Sequence, residues 1–343
     1  MIRHADRFLI GTSESLPDPA AWDDVVQASG APLFYRADVL AAYQRHPLQQ
    51  TLGVYYLTAR WPGSGDLAAV LPAYLVPATD PLLVLPNLVP GFRPGGRPLL
   101  LSHVWHWYDT HLPARRLDEP LVTAMIGTLR DLAAKCRAQA FGLVNVPTDA
   151  EWSRSLAGCG LAGLPIDARY ALDLRPYGSA DDYLASLPGK RRQDSRRQLR
   201  RAAGESAELA VDPPEPPTLA AVARLCQLSA GKHGNADWYR PEPLRAFLSA
   251  VQRHVRLVTV RMNGEIVAAS ISFADGHRFH NWAAGSVPAG LLPYSPYLVL
   301  LYATVRAALL EHCQLLEGGR RNDSWKERLG MERRPLSGWV AAP

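Results

Sequence analysis

Alternation of apolar and polar residues is clearest in the second half of the chain, where it predicts three consecutive β-strands. The runs are Leu257 to Arg261, Ile266 to Phe273 and Arg278 to Ala283. Asn263-Gly264 separates the first two runs, and this dipeptide provides the positive φ angles of a two-residue type I′ turn. Asp275-Gly276 supplies a second turn before the third run. The pattern predicts a three-stranded antiparallel meander.

Helical periodicity surrounds this meander. Two helices are predicted before it, at Thr218 to Lys232 and Pro241 to His254, and a longer one after it, at Pro296 to His312. Proline fits the first turn of that helix, because the first N–H groups of a helix have no intrahelical partner. Leu315-Leu316 then predicts a short strand that ends at Gly318-Gly319.

The first half of the chain repeats this order. A helix is predicted at Ala37 to Arg45, followed by strands at Thr51 to Thr58 and Leu67 to Val76. An amphipathic helix at Glu119 to Ala138 and a buried strand at Phe141 to Val146 come next. The recurrence indicates duplication of one α/β unit, so the expected fold class is α/β with mixed sheets.

The duplication predicts two domains, at residues 1–163 and 164–343. The length of 343 residues suits two domains of ordinary size. The boundary is expected near Gly160 to Ile166, since Pro213 to Pro217 has the composition of a stiff connector inside the second domain. The last strand is free to return to the N-terminal domain.

Composition excludes several classes of protein. With 48% hydrophobic and 20% charged residues, the chain is neither disordered nor collagen-like. The four cysteines lie far apart without a C-x-x-C pair, which favours buried thiols over disulfides or a zinc finger. No apolar run is long enough to span a membrane and no signal peptide is recognisable, so a cytoplasmic protein is expected. The usual motifs of serine hydrolases, P-loop enzymes, dinucleotide-binding enzymes and zinc proteases are missing.

The positive charge is concentrated in one segment. The net charge is +5, but Lys190 to Arg201 holds seven basic residues and one acidic residue, so the rest of the chain has a net charge of −1. Ser179, followed three residues later by Asp182, predicts a helix start. Pro188-Gly189 then ends that helix, and a second helix begins at Lys190.

Arginines recur at every fourth position of this second helix. Arg192, Arg196 and Arg200 form one row, and Arg197 and Arg201 form another. Two interpretations are open: a solvated helix face, or a site for phosphate or another polyanion, because nothing nearby in the sequence neutralises the charge.

Histidines cluster before the amphipathic helix of the first half. His103, His106, Asp109 and His111 fall in one short segment. Their spacing fits no common metal motif, and the aromatic residues between them suit a loop that lines a substrate site; metal binding and a structural role are the alternatives. A second polar and aromatic loop, around Trp238, either borders a pocket or is a surface turn.

The most specific pattern lies near the C-terminal end. Glu317-Gly-Gly-Arg320 follows the predicted strand, and Trp325-Lys326-Glu-Arg-Leu329-Gly330 opens a short helix. Together with the basic segment and the helix start at Tyr294-Ser-Pro-Tyr297, it resembles Fem-type and related acyltransferases of the GNAT superfamily. In these, a glycine-rich strand end precedes an aromatic residue, a lysine, two residues, a bulky apolar residue and a glycine. The resemblance covers about Leu174 to Gly330.

The resemblance implies two GNAT-like domains around a mixed sheet, and an enzyme that joins an activated acyl group to an amine. Some members take an amino acid from aminoacyl-tRNA, in cell-wall cross-bridge synthesis or natural-product assembly, and others are thought to use acyl-CoA. The family lysine corresponds to Lys326, where an ammonium can stabilise an oxyanion. A solvated helix residue is the alternative for Lys326. The donor site is expected in the C-terminal domain.

The loop before the last long helix bears on the donor. GNAT enzymes hold the CoA pyrophosphate in an arginine- and glycine-rich loop at a helix N-terminus. Leu291 to Tyr297 lacks that pattern, and Pro293 and Pro296 have no N–H to donate. The basic helix suits the phosphates of a tRNA acceptor stem. An aminoacyl-tRNA-dependent N-aminoacyltransferase is therefore favoured over an acyl-CoA-dependent N-acyltransferase and over a catalytically silent RNA-binding module.

These expectations assign roles to individual residues. The expected partners are tRNA and a small amine-bearing acceptor, either a peptide-like metabolite or a cell-wall precursor, with no metal and no further cofactor. Lys326 is the expected catalytic residue, with Asp109 and Asp323 as candidates for the general base. Donor or substrate binding is expected from Arg191, Arg192, Arg196, Arg197, Arg200, Tyr294, Ser295, Tyr297, Arg320, Trp325, His106 and Trp238.

Overall fold

Contacts divide the chain into two compact units. The computed structural model describes residues 2–5, 7–80, 84–107, 109–232, 234, 236–288 and 290–343, with only the backbone described at 2–5 and 238. Unit 1 contains residues 1–167 and 335–343, and unit 2 contains residues 168–334. The two units part after residue 167 rather than after the expected residue 163, and the last residues of the chain belong to unit 1.

Unit 1 combines an extended sheet with helices. Its helices are α1 (Pro19–Ala28), α2 (Ala37–Arg45), α3 (Leu85–Leu88), α4 (Glu119–Lys135) and α5 (Ser153–Gly158). Its strands are β1 (Ile2–Ala5), β2 (Phe8–Ser13), β3 (Gly53–Arg60), β4 (Leu67–Val76), β5 (Leu99–Ser102) and β6 (Ala140–Pro147). These strands are adjacent in numerical order, and β5 and β6 are parallel.

Unit 2 begins within strand β7 (Ala162–Asp173) and ends within strand β13 (Glu332–Ala341). Its helices are α6 (Ala180–Ser186), α7 (Gly189–Gly204), α8 (Pro216–Gly231), α9 (Pro241–Ala250), α10 (Pro296–Leu310) and α11 (Asp323–Arg328). Its other strands are β8 (Glu208–Asp212), β9 (Val255–Met262), β10 (Glu265–Ala274), β11 (Arg278–Ser286) and β12 (Leu315–Arg320). The strand order is β7-β12-β11-β10-β9-β8.

The predicted duplication is confirmed at the level of element order. From α1 to β7, omitting the single-turn α3, the chain forms two helices, three strands, a helix, a strand, a short helix and a strand, and the same series runs from α8 to β13. The predicted meander is also confirmed, with β9 and β10 antiparallel and β10 and β11 antiparallel. Asn263 and Gly264 have φ angles of 52° and 80° in its first turn, as a type I′ hairpin requires.

The final strand of each repeat is exchanged between the units. Residues 169–173 of β7 pair with β12 in unit 2, and residues 336–341 of β13 pair with β6 in unit 1. The sequence predicted neither β7 nor β13. The last strand of the chain thus returns to unit 1, where it pairs with β6.

A long helix covers the core of each unit. In unit 1, α4 buries Leu121, Met125 and Leu129 against the sheet. In unit 2, α10 buries Val299 and Leu300 in the corresponding core. Each helix begins at a capping side chain with proline in its first turn, as the sequence pattern predicted for α10. Within the described ranges, no helix is both long and apolar enough to cross a membrane.

Gly142→Ala is expected to destabilise unit 1, because a Cβ at residue 142 clashes with the Trp339 carbonyl oxygen. Both positions are strand backbone, so relief of the clash disturbs the pairing of β6 with β13. A loss of about 1–3 kcal/mol is typical of overpacking and should appear as a lower urea midpoint. Gly127→Ala on α4 is the matched control, since its Cβ meets nothing within 4 Å and alanine favours a helix. An equal loss in both variants contradicts this reasoning.

Candidate functional site

Two parallel strands diverge in the sheet of unit 2. β11 and β12 are paired over a short register that ends at His280 and Glu317. β11 nevertheless continues to Ser286 and β12 to Arg320. β12 therefore does not end at the two glycines, as predicted, but runs through them, with Gly319 at φ +72°. Divergence of parallel strands leaves backbone N–H and C=O groups between them, to which an extended ligand can hydrogen-bond.

Lys326 lies close to the end of β12. It is carried by α11, which begins after Asn322, a residue in the left-handed region with φ 56°. Its ammonium donates to the Arg320 carbonyl at 2.8 Å and lies 5.5 Å from the centre of the Tyr170 ring. Lys326 is only 2% exposed, which excludes the solvated alternative. Held by a carbonyl and an aromatic face, the ammonium has a fixed position from which it can stabilise a negative charge.

Aromatic side chains border the same strand end. The ring centre of Tyr239 lies 5.4 Å from that of Trp282 on β11. Burial raises the pKa of Tyr239, and the nearby Arg320 guanidinium opposes that rise. Burial also raises the pKa of Tyr297 to about 12, although a hydrogen bond with the Asn322 side chain opposes the rise. Both hydroxyls therefore stay protonated at neutral pH and can donate hydrogen bonds.

The N-terminus of α10 is occupied by side chains of the protein. The Ser295 hydroxyl accepts from the Leu298 N–H at 3.3 Å, and the Ser295 N–H donates to Gln198 Oε1 at 2.8 Å. Arg201 donates to the Pro293 carbonyl at 3.3 Å. Gln198 and Arg201 both belong to α7, so the basic helix lies directly against the loop that precedes α10.

The basic helix is held to neighbouring elements by three of its arginines, while a fourth pairs with Asp194 on the helix itself. Four of its six arginines donate to partners within unit 2: Arg191 to the Glu327 carbonyl, Arg192 to the Ala185 carbonyl, Arg197 to the Asp194 carboxylate and Arg201 to the Pro293 carbonyl. These bonds anchor α7 to α11 on one side and to the loop before α10 on the other. α7 therefore combines arginines bonded to neighbouring elements with exposed arginines, Arg196 and Arg200 among them.

Comparisons with known proteins agree with this geometry. Residues 189–327 match the model of the acetyltransferase (GNAT) domain, a stretch within unit 2 that includes α7, the diverging strands and Lys326. The crystal structure of FemX is similar over 96% of both chains, with 10% identity and a TM-score of 0.65. The tandem GNAT protein from the clavulanic acid biosynthesis pathway, solved without AcCoA, is similar over 97% of this chain and 98% of its own, with 14% identity and a TM-score of 0.58. L-PGS from Bacillus licheniformis is similar over 95% and 93%, with 12% identity and a TM-score of 0.55. No curated protein sequence matches the chain.

The chain has the Fem-type tandem GNAT fold. The two repeats are its GNAT-like units, which confirms the expected α/β fold class. At the coarse level, residues 189–327 of unit 2 match an acetyltransferase (GNAT) domain.

The histidine loop lies in the first GNAT-like unit and is largely buried. Val104 N–H donates to His103 Nδ1, and His103 Nε2 lies 3.2 Å from the Phe34 carbonyl. Burial lowers the pKa of His103 to about 3, so this ring is a neutral, structural group. Asp109 Oδ1 lies 3.2 Å from His111 Nε2 and is also buried. In the part of the chain that the structure describes, no group of three His, Cys, Asp or Glu side chains could hold a metal ion.

The other residues expected at the site range from fully buried to exposed. His106 is 3% exposed in unit 1, with its ring centre 5.4 Å from that of Tyr43. Tyr294 is buried in the core of unit 2 rather than placed along an open channel. Trp325 is half-buried beside Arg328, and Asp323 is exposed in the first turn of α11. The side chain of Trp238 lies outside the described residues.

A buried ion pair next to the diverging strands was not predicted. Arg169 on β7 and Glu317 on β12 are 5% and 1% exposed, and their charged groups lie 2.5 Å apart. Glu317 is also the last residue of β12 that pairs with β11. Sequence signals for this pair are weak, because β7 was not predicted and Arg169 is far from Glu317 along the chain. The pair fixes β7 against β12 beneath the strand end that carries the candidate site.

Proposed function

We propose that the protein is an N-aminoacyltransferase that transfers an aminoacyl group from aminoacyl-tRNA to an amine acceptor. The expected acceptor is a small peptide-like metabolite or a cell-wall precursor. The observation that carries this choice of donor is the N-terminus of α10, where a CoA-dependent GNAT enzyme binds pyrophosphate and where this chain places its own side chains.

Pyrophosphate binding at a helix N-terminus depends on backbone N–H groups that are free to donate. Here the Ser295 N–H donates to Gln198, the Leu298 N–H donates to the Ser295 hydroxyl, and Pro296 has no N–H. A pyrophosphate has to displace these contacts to bind. The arrangement therefore disfavours CoA, whereas the exposed arginines of α7 favour a donor with many phosphates.

The proposed chemistry needs an activated ester and a fixed positive charge. The acceptor amine attacks the ester carbonyl of aminoacyl-tRNA, a C–N bond forms, and the carbonyl oxygen becomes an oxyanion. Lys326 is proposed to stabilise that oxyanion, since its ammonium is buried and fixed near the end of β12. The C–O bond then breaks, and the tRNA hydroxyl leaves with a proton from the amine. Asp323 and Asp109 stay candidates for the proton acceptor.

The proposed binding residues lie on α7 and around the end of β12. Arg191, Arg192, Arg196, Arg197 and Arg200 are proposed to contact donor phosphates, with part of the first two guanidinium groups already bonded to backbone carbonyls. Tyr297, Arg320 and Trp325 are proposed to contact the acyl group or the acceptor.

Acyl-CoA is the second candidate donor, and one observation favours it. The divergence of β11 and β12 leaves strand edges to which an extended chain, such as the pantetheine arm of CoA, can hydrogen-bond. Tight binding of acetyl-CoA without binding of tRNA would establish this alternative.

Binding of mixed charged tRNA is expected to weaken steeply with salt. Arg196→Gln/Arg197→Gln/Arg200→Gln should weaken binding and reduce the slope of log K against log salt by about 2–3 units, because each phosphate contact releases condensed counterions. Titrations at two salt concentrations, with acetyl-CoA in parallel, test this. An unchanged slope in the triple variant would overturn the assignment of the arginines. If the wild-type protein binds tRNA but neither it nor any variant transfers an aminoacyl group, the protein is a silent RNA-binding module.

A further inference from the structure

A cavity of about 670 Å³ lies in unit 2 beside the basic helix, apart from the diverging strands. It is formed between α6, α7, β8 and α10. Its walls are mainly aliphatic, and they include Leu184, Leu199, Leu209 and Val299. Its volume lies in the range of pockets that hold small organic ligands.

Two arginines of α7 line this cavity. Arg196 and Arg200 lie one helical turn apart and are both exposed. Unlike the other four arginines of the helix, neither has a hydrogen bond or an ion pair with the described residues. Two like charges on adjacent turns repel each other. An anion between the two guanidinium groups removes that repulsion and satisfies their donors.

The polar groups of the cavity are unevenly distributed. Tyr302 donates to Asp181 at 3.4 Å, so these two polar side chains satisfy each other. The two arginines are the cationic groups of the lining, and aliphatic side chains provide most of the remainder. Tyr302 contributes one aromatic ring to the described lining, and the other walls are mainly aliphatic, which suits a flexible alkyl chain better than a nucleobase.

We propose that this cavity binds a single aliphatic chain that ends in an anionic head group, either a carboxylate or a phosphate. The alkyl chain lies against Leu184, Leu199 and Val299, and the head group bridges Arg196 and Arg200. This site goes beyond the proposed aminoacyl transfer, because its ligand is held by burial of apolar surface as well as by charge. It shares two arginines with the proposed tRNA contacts, so the two ligands compete for them.

Calorimetric titration of the full chain with dodecanoate, below its micellar concentration, tests the proposal. We expect binding that strengthens by about fourfold for each methylene between octanoate and dodecanoate, because each buried methylene contributes a constant increment. Acetate and inorganic phosphate, which lack the chain, should not bind in the same concentration range. Parallel titration with dodecyl phosphate decides which head group is preferred.

Two sets of variants separate this cavity from general attraction of anions to the helix. Arg196→Gln/Arg200→Gln should weaken dodecanoate binding by at least tenfold, whereas the matched pair Arg191→Gln/Arg197→Gln should leave it unchanged. Ala203→Trp, at an exposed lining position, should also abolish binding although every arginine is kept. Thermal unfolding of each variant establishes that it is folded.

Three outcomes would overturn the proposal: no binding of either dodecyl probe, equal weakening in the two double variants, or an affinity that does not depend on chain length. Binding of tRNA tests the proposed donor independently, because the two double variants should weaken tRNA binding to a similar extent. A failure of the cavity proposal is therefore distinguishable from a failure of the proposed donor.

Discussion

Lys326→Met should lower kcat by about 10²–10³-fold, the usual effect of removing one group that stabilises an oxyanion. The ammonium is buried, donates to the Arg320 carbonyl and faces the Tyr170 ring, so water cannot readily replace its charge. Because the oxyanion exists only after attack by the amine, KM for the donor should change little. Single-turnover kinetics with a charged tRNA and an amine acceptor measure the chemical step directly.

The same substitution also removes the donor of a hydrogen bond in the interior, so folding has to be measured alongside turnover. Methionine retains most of the volume of lysine, and urea unfolding reports any loss of stability. If the role of Lys326 is structural only, the folded fraction turns over at the wild-type rate once stability is taken into account. That result, or an equal change in KM and kcat, would remove Lys326 from the proposed chemistry.

Arg169→Met should lower the free energy of unfolding by about 3–5 kcal/mol, the largest loss of stability that we expect from a single substitution here. Arg169 and Glu317 are both almost fully buried, and removal of the cation leaves the Glu317 carboxylate without its charged partner. Urea unfolding of the variant should show a lower midpoint, and the slope should stay unchanged if unfolding remains two-state.

The chain offers a matched control for this pair. Arg175 and Asp173 are also separated by a short distance, 2.7 Å, but both side chains are exposed. Arg175→Met should therefore lose much less stability than Arg169→Met, because solvent screens an exposed pair. The double variant Arg169→Met/Glu317→Leu should recover most of the loss, since it leaves no buried charge. A double variant as unstable as Arg169→Met would show that shape, and not charge, determines the loss.

Elements with strong local signals could be predicted from the sequence. Asn263-Gly264 fixed the meander, because few residue pairs adopt the two positive φ angles of its turn. The capping serine at residue 179 and the break at Pro188-Gly189 defined the start of α6 and of α7. These signals act over three or four residues and depend little on the rest of the chain.

Strands defined by distant partners could not be predicted in this way. β7 and β13 were both missed, and each is stabilised by a strand from the other repeat. Their pairing depends on which chain segments meet after folding, and a pattern of single residues carries no such information. The fold class followed from the repeated order of elements, and the return of the last strand was left open, whereas the identity of the exchanged strands required the structure.

The residues of the candidate site could be predicted from the sequence, but their surroundings could not. Lys326 and the arginines of α7 stand out in a short stretch of sequence, so the pattern identified them. Their surroundings did not follow: burial of Lys326, the bonds of Gln198 to Ser295, and the pairing of Arg169 with Glu317 all join residues of different elements. The sequence indicated which side chains carry charge, and the structure shows which of those charges are already satisfied.

The exchanged strands also bear on the order in which the protein is synthesised. Residues 335–341 leave the ribosome after all of unit 2, yet they form the neighbour of β6 in unit 1. Until then β6 presents an unpaired edge, which other chains can bind. The part of β7 that pairs with β12 is translated before the rest of unit 2. The sheet of unit 2 can therefore form before the sheet of unit 1 is complete. The sheet of unit 1 can therefore be completed only after all of unit 2 has been translated.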